Sequence, residues 1–120
     1  MGGSVQKSFE APEEKRDFDN GQVQIVSLPT QKVGRAEFQP GWKWSTSVKP
    51  IVGGDSCQAH HVGYVVSGTL HVKTDDGDEL DLTTGDVYDI QPGHDAWVTG
   101  NENWVSLEFE HTTADTYGKK

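Results

Sequence analysis

The sequence predicts an all-β domain, either a sandwich or a closed barrel. Short runs rich in β-branched and aromatic residues follow one another along the chain, and clusters of Gly, Pro, Asp and Asn separate them. Beyond the N-terminus, no segment shows the 3.6-residue period of an amphipathic helix. About nine short strands with so little helix are typical of sandwiches and barrels.

The expected strands follow one another from residue 22 to residue 109. They are Gln22–Leu28, Val33–Gln39, Trp42–Val48, His60–Val66, Thr69–Thr74, Glu79–Leu82, Val87–Ile90, Asp95–Thr99 and Trp104–Phe109. Asp76-Gly77 indicates a hairpin turn, since both residues tolerate positive φ. Residues 1–20 are predicted to be a polar lead-in with a short turn or helix at Pro12–Arg16. The barrel is expected over 21–111 and a loose tail over 112–120.

Composition narrows the class of protein. A chain of 120 residues predicts a single domain. Its 10 Lys+Arg against 19 Asp+Glu give a net charge of -9, which argues against nucleic acid as a partner. No apolar run approaches the roughly 18 residues of a membrane span, and the N-terminus lacks a secretory apolar region. One cysteine excludes an internal disulfide and favours a reducing cytoplasm.

Two segments resemble the halves of the cupin signature. Tyr64–Val72 contains a strand that ends in a Ser-Gly turn, and Gly85–His94 contains Gly-Asp, a short strand and Pro-Gly. The resemblance covers about residues 35–110 and implies a double-stranded β-helix, the cupin jelly-roll barrel. A small single-domain cupin subgroup also has Pro-Gly-Trp-x-Trp and Pro-Gly-His-Asp-Ala-Trp, which stand here at Pro40–Trp44 and Pro92–Trp97.

The resemblance implies a divalent metal inside the barrel. Cupins commonly hold it with His-x-His, a Glu and a His from the second motif. In this sequence the two His positions hold Asp55 and Cys57, and the Glu position holds His61. The second-motif His position holds Ala96. Three of the four positions thus have another type of potential ligand, and the fourth has none.

The candidate metal ligands are Cys57, His61, His60 and His94. Cys57 and His61 share a parity, so they point to one face wherever the chain is extended. His94 follows the Pro-Gly turn and can compensate for Ala96. His60 would face the opposite side of a strand that begins before it, unless a loop brings it inward. A thiolate with imidazoles suits Zn, Fe, Ni or Cu.

Further residues are candidates for a ligand pocket. They are Asp55, Trp42, Trp44, Tyr64 and Trp97. Structural roles compete with these assignments: Asp55 follows two glycines and suits a turn, and tryptophans suit core or dimer packing. Cys57 is equally compatible with a small buried side chain. His71 and His111 are expected on the surface.

The leading hypothesis is a cytoplasmic cupin that binds a small molecule, with a divalent metal in the barrel. As an enzyme, it would by resemblance perform dioxygenation, isomerisation or decarboxylation of a small polar substrate. The alternatives are a metal-free, non-catalytic ligand-binding or sensor cupin, which Ala96 favours, and a structural dimerisation module. A homodimer is expected because small cupins usually pair and because the segment up to Leu28 can cross onto a partner sheet. In addition, the apolar Val65/Val66 and tryptophan faces are larger than one small barrel can easily enclose.

Overall fold

The computed structural model describes residues 3–109, which form nine strands and two short helices. The strands are β1 (Glu14–Phe18), β2 (Gly21–Ser27), β3 (Lys32–Phe38), β4 (His61–Ser67), β5 (Thr69–Thr74), β6 (Glu79–Thr83), β7 (Val87–Ile90), β8 (His94–Thr99) and β9 (Trp104–Glu108). The helices are α1 (Trp44–Ser47) and α2 (Lys49–Val52). The predicted all-β class is confirmed.

The strands form two antiparallel sheets. The larger has the order β1-β2-β3-β9-β4-β7, and the smaller has the order β6-β5-β8. In the larger sheet β9 lies between β3 and β4, so the last strand joins two segments distant in sequence. The predicted hairpin turn joins β5 to β6, with Gly77 at a φ of 95°. Of the predicted turn pair, only Gly77 has a positive φ.

The core lies between the sheets because alternate side chains of each strand face inward. On β5, for example, Leu70 and Val72 are buried while His71 between them is partly exposed. Aromatic rings fill much of the space, and the ring of Phe38 stacks on Trp42 with centroids 3.9 Å apart. These rings leave a cavity between the sheets, which contains the site described below.

The predicted strand Trp42–Val48 is wrong, because Trp44–Ser47 forms α1. Local hydrogen bonds stabilise the helical turn: Thr46 Oγ1 donates to the carbonyl of Lys43 at 3.3 Å, and Ser47 Oγ accepts from the Lys43 amide at 3.4 Å. Such side chain to backbone bonds compete with a sheet ladder. Trp42 and Trp44 were expected to share one face of a strand; both instead reach the cavity from a loop and a helix.

The predicted turn or helix at Pro12–Arg16 is also wrong, because β1 begins at Glu14 and pairs with β2. Arg16 explains the difference: it lies opposite Val23 and is buried, so this polar segment alternates like a strand. The predicted tail over 112–120 and His111 lie outside the described residues. Among residues 3–109, no helix is long and apolar enough to cross a membrane.

Candidate metal centre and cavity

Three metal-ligating side chains meet inside the barrel. The potential ligand atoms of Cys57, His61 and His94 all lie within 4.8 Å of one another. Cys57 and His94 are 3% and 4% exposed, and the His61 side chain is 13% exposed. We call these three residues the Cys57 cluster. Its members come from two separate stretches of chain, so only the folded barrel assembles it.

Backbone pairing brings Cys57 to His94. The amide of Cys57 donates to the carbonyl of His94 at 2.7 Å, and the Gly93 amide donates to the Cys57 carbonyl at 2.7 Å. His61 begins β4, where the inward positions continue at Gly63 and Val65. The predicted shared face of Cys57 and His61 is therefore present, and Cys57 Sγ lies 3.7 Å from His61 Nε2.

Hydrogen bonds on the far side of each imidazole orient the rings. His61 Nδ1 lies 2.6 Å from Glu108 Oε1, and His94 Nδ1 lies 2.9 Å from the carbonyl oxygen of Gln91. Because a carboxylate and a carbonyl only accept, each Nδ1 is the donor. Each Nε2 is then the nitrogen left to face the cluster, which is the orientation found in metal-ligating histidines.

Glu108 is the buried carboxylate behind the cluster. It is 5% exposed and also accepts a short hydrogen bond from the hydroxyl of Tyr88. Gly63 makes room for this contact: a Cβ there would lie 2.6 Å from the Tyr88 hydroxyl oxygen and 2.4 Å from the carbonyl oxygen of Leu107. The missing side chain in β4 thus allows Tyr88 of β7 to reach Glu108 of β9.

The cluster strongly perturbs two ionisations. Burial raises the pKa of the Cys57 thiol, but hydrogen bonds and positive charge from His61 and His94 outweigh it and bring that pKa down to about 6. Burial lowers the pKa of His61, but the Glu108 charge and hydrogen bonds to Cys57 and Glu108 outweigh it and raise that pKa to about 10. At neutral pH the metal-free site therefore pairs a thiolate with an imidazolium.

The cluster borders a cavity with an empty volume of about 480 Å³, counting its open mouth. Its walls are mostly apolar and come from both sheets and from the α1 region. The lining residues are Val23, Ala36, Phe38, Trp42, Trp44, His61, Leu70, Val72, Leu82, Tyr88, Ile90, His94, Ala96, Trp104 and Glu108. Among these described residues there is no lysine or arginine, so the ionisable groups of the wall are those at and behind the cluster.

Four candidates from the sequence do not join this site. His60 lies on the other side of β4, where its Nε2 is 2.6 Å from Asp89 Oδ1. Asp55 and Tyr64 are exposed and do not line the cavity. Trp97 packs outside the barrel, with its ring centroid 4.9 Å from that of His71. Strand parity explains both His60, which directly precedes β4, and Tyr64 within it. Their even-numbered positions alternate with the inward residues Gly63 and Val65.

Sequence reasoning missed Glu108 and Tyr88. The signal for Glu108 was present: Trp104, Ser106 and Glu108 alternate on β9, and all three are buried. A carboxylate at an inward position of a strand requires a partner, because an unpaired buried charge is costly. Nothing in the local sequence names that partner, since His61 is 47 residues away.

Comparison with solved structures identifies the architecture. The chain is similar to KdgF from a Halomonas species, with a TM-score of 0.57 and 20% identity over 92% of this chain and 96% of that one. A cupin 2 conserved barrel protein from Salinispora arenicola gives 0.57 and 16% over 96% and 95%. An RmlC-like cupin from Shewanella frigidimarina gives 0.56 and 22% over 88% and 91%. No protein-family model and no curated protein matches the sequence.

Two antiparallel sheets enclose a cavity, and His61, His94 and Glu108 line its wall. This architecture is a β-barrel of the cupin type. The predicted resemblance is confirmed at the level of the fold: the chain has a cupin-like barrel fold.

Proposed function

We propose that this cupin-like protein holds a divalent late first-row metal on Cys57, His61 and His94, and binds a small molecule in the adjoining cavity. The observation that supports the metal most directly is the convergence of one thiol and two imidazoles within 4.8 Å inside the barrel. Sulfur and imidazole nitrogen are the donors that Zn, Fe, Ni and Cu accept. His60 is not part of the proposed ligand set, because its ring pairs with Asp89.

The distance between Cys57 and His61 fits a shared metal. Bonds of about 2.3 Å to sulfur and about 2.0–2.1 Å to nitrogen, at a tetrahedral angle, separate the two ligand atoms by about 3.5–3.6 Å. Cys57 Sγ and His61 Nε2 are 3.7 Å apart. Three protein ligands leave a further position open on the metal, as in catalytic rather than structural sites.

The chain contributes the following functions around that centre. Glu108 holds the proton at His61 Nδ1, the Gln91 carbonyl holds the proton at His94 Nδ1, and apolar side chains form most of the adjoining wall. A metal bound there would supply Lewis-acid or redox chemistry to a ligand in the cavity. A cytoplasmic location, which the single cysteine favours, would keep Cys57 reduced.

The competing proposal is a metal-free binding or sensor protein. One observation favours it. The thiolate of Cys57 and the imidazolium of His61 form an ion pair without a metal, and the other nitrogen of the ring donates a hydrogen bond to Glu108. Ala96 also favours the metal-free proposal, because it lines the cavity at the position where the cupin signature has its last histidine.

Metal content decides between the two proposals. Protein purified without a polyhistidine tag is analysed for bound metal, and metal-free protein is titrated with Co²⁺, whose thiolate complexes have a charge-transfer absorption. The first proposal predicts near-stoichiometric metal and a thiolate band. His61→Ala should abolish metal uptake with the barrel still folded, and Cys57→Ser should remove the band and weaken uptake.

His71→Ala is the matched control. His71 is a histidine of the outer face, bonded to Asp81 and Glu79 at 2.8 and 2.7 Å, so its removal should leave metal uptake unchanged. Absence of metal from the parent protein even after reconstitution, or unchanged uptake by His61→Ala, would overturn the metal proposal in favour of the metal-free one.

A further inference from the structure

Glu108 lies between two glycines in the larger sheet. In the register of the strands it pairs with Gly34 of β3 on one side and with Gly63 of β4 on the other. Neither neighbour has a side chain that could pack against the carboxylate, and the last torsion of a glutamate side chain has a broad energy profile. The plane of the Glu108 carboxylate therefore depends on its hydrogen bonds rather than on its two neighbours in the sheet.

Each carboxylate oxygen accepts a hydrogen bond from a different strand. Oε1 lies 2.6 Å from His61 Nδ1 at the start of β4, and Oε2 accepts a short hydrogen bond from the Tyr88 hydroxyl on β7. Because a carboxylate only accepts, His61 and Tyr88 are both donors. A bond at each oxygen restricts rotation of the carboxylate more than the bond from His61 alone.

Tyr88 is well placed to hold that second oxygen. It is 6% exposed, and its ring centroid lies 6.1 Å from that of Trp104. Its backbone pairs with Gly63, where a Cβ would lie 2.7 Å from the ring carbon Cζ of Tyr88. The phenol ring therefore lies across β4, and its hydroxyl reaches β9 two strands away. Burial leaves the ring little freedom to turn away from Glu108.

We propose that Tyr88 is a positioning residue of the metal centre. By holding Oε2 of Glu108, it fixes the direction in which Oε1 holds the His61 ring, and with it the direction in which His61 Nε2 faces the metal. Tyr88 acts through Glu108 and is not itself a ligand, because its hydroxyl donates to the carboxylate. This inference rests on the proposed function and deepens it, since it adds a residue that sets the geometry of the same centre.

Tyr88→Phe tests the proposal because it keeps the ring and removes only the hydroxyl. We expect Co²⁺ to leave the variant about three- to tenfold faster than the parent protein, as expected for one lost hydrogen bond. The absorption bands of the bound Co²⁺ should also shift, because its coordination geometry changes. Release into excess chelator measures the rate, which starts from the metal-bound protein and so does not depend on the protonation of an empty site.

Two control variants separate positioning from other effects of the substitution. Tyr64→Phe removes the hydroxyl of a tyrosine that is 41% exposed and lies outside the cavity, so release should be unchanged. Val65→Ala truncates a fully buried side chain of β4 and should lower stability without touching the bonds to Glu108. It should therefore leave both the release rate and the absorption bands as they are.

The ring N–H resonance of His61 in ¹⁵N-labelled, metal-free protein reports the same arrangement without metal. Its proton at Nδ1 should exchange with solvent about threefold faster or more in Tyr88→Phe, because the acceptor is less firmly held. It should be unchanged in Tyr64→Phe. Protein that takes up no metal would contradict the proposed metal centre, and this resonance would still decide whether Tyr88 positions His61.

Three outcomes would overturn the proposal. One is an unchanged release rate in Tyr88→Phe protein that binds Co²⁺, or an unchanged His61 resonance in metal-free protein. Another is the same acceleration of release by Val65→Ala, which would trace the effect to lower stability. The third is a Tyr88→Phe chain that fails to fold by circular dichroism, which would assign the hydroxyl to stability alone.

Discussion

His61 Nδ1 and Glu108 Oε1 lie 2.6 Å apart, and this hydrogen bond joins the start of β4 to the end of β9 inside the barrel. Glu108 is itself held by the hydroxyl of Tyr88. The ring of His61 is therefore fixed in orientation before any ligand arrives, with Nδ1 donating to Glu108. A carboxylate behind an imidazole also raises the basicity of the opposite nitrogen, which strengthens it as a metal ligand.

Glu108→Gln should weaken the intrinsic affinity for metal, that is, the affinity of the site with His61 deprotonated, by about ten- to a hundredfold, the usual effect of removing a carboxylate behind a ligating histidine. It should also lower the His61 pKa, because the charge of Glu108 is a principal cause that raises it. Competition titrations with a chelator measure the affinity, and imidazole resonances of metal-free protein measure the pKa. Glu102→Gln, at an exposed glutamate, is the control. An unchanged affinity would show that Glu108 has only a structural role.

Metal affinity should rise as the pH rises. The His61 pKa is raised to about 10, so near neutral pH the metal must displace one proton from Nε2, whereas Cys57, with a pKa of about 6, is already a thiolate. The apparent affinity should therefore increase about tenfold per pH unit between about pH 7 and pH 9. Below about pH 6, protonation of Cys57 should make the dependence steeper. Calorimetry in buffers of different ionisation enthalpy counts the released protons, and a count near zero at neutral pH would contradict this account.

Gly63→Ala should destabilise the protein and disturb the site. A Cβ at Gly63 would lie 2.4 Å from the Leu107 carbonyl oxygen and 2.6 Å from the Tyr88 hydroxyl oxygen, so backbone and ring must both move. We expect a loss of about 1–3 kcal/mol in the free energy of unfolding, the usual range for overpacking, together with weaker metal binding. Chemical denaturation measures the first and a chelator competition the second.

Gly34→Ala is the matched control for that substitution. Gly34 is also a strand glycine without positive φ, but its Cβ would meet nothing closer than 3.5 Å. Its free energy of unfolding should stay close to that of the parent protein. Equal destabilisation by the two substitutions would mean that the loss of glycine from a strand, rather than the contact with Tyr88, is responsible.

We expect a homodimer formed through the outer face of β4 and β7. Tyr64, Val66 and Val87 are 41%, 44% and 78% exposed, and Tyr64 lies opposite Val87 in the sheet, so they form a contiguous apolar patch. Val65, which the sequence suggested as part of this face, is instead fully buried. β1 pairs with β2, and β2 pairs with β3, all within the same chain.

Light scattering at micromolar concentration should give twice the chain mass of 13.2 kDa. Val87→Lys should shift the mass towards one chain by placing a charge in the patch. Leu80→Lys, at an exposed apolar residue of β6 in the other sheet, should not. A monomeric parent protein, or the same shift from both variants, would contradict this interface.

Local pattern was enough to predict most of the strands. Alternation placed Cys57 and His61 on one face, and turn residues such as Gly77 marked the ends of the strands correctly. The hydrophobic pattern predicted the wrong structure for two segments. At Glu14–Phe18 polar side chains occupy an edge strand, and at Trp44–Ser47 hydroxyl side chains stabilise a helical turn. In both segments the deciding interactions are hydrogen bonds, which hydrophobic periodicity does not report.

By itself, the sequence determined the all-β class, because strand period and turn chemistry are local properties. Its resemblance to the cupin signature implied the barrel and placed Cys57, His61 and His94 among the candidate ligands. Only the tertiary structure decided the rest. The insertion of β9 between β3 and β4 brings Glu108 to His61, and the backbone pairing of Cys57 with His94 brings the second imidazole inward. These are pairings between residues far apart in the chain, and the register that sets them depends on how whole sheets pack rather than on any neighbouring residue.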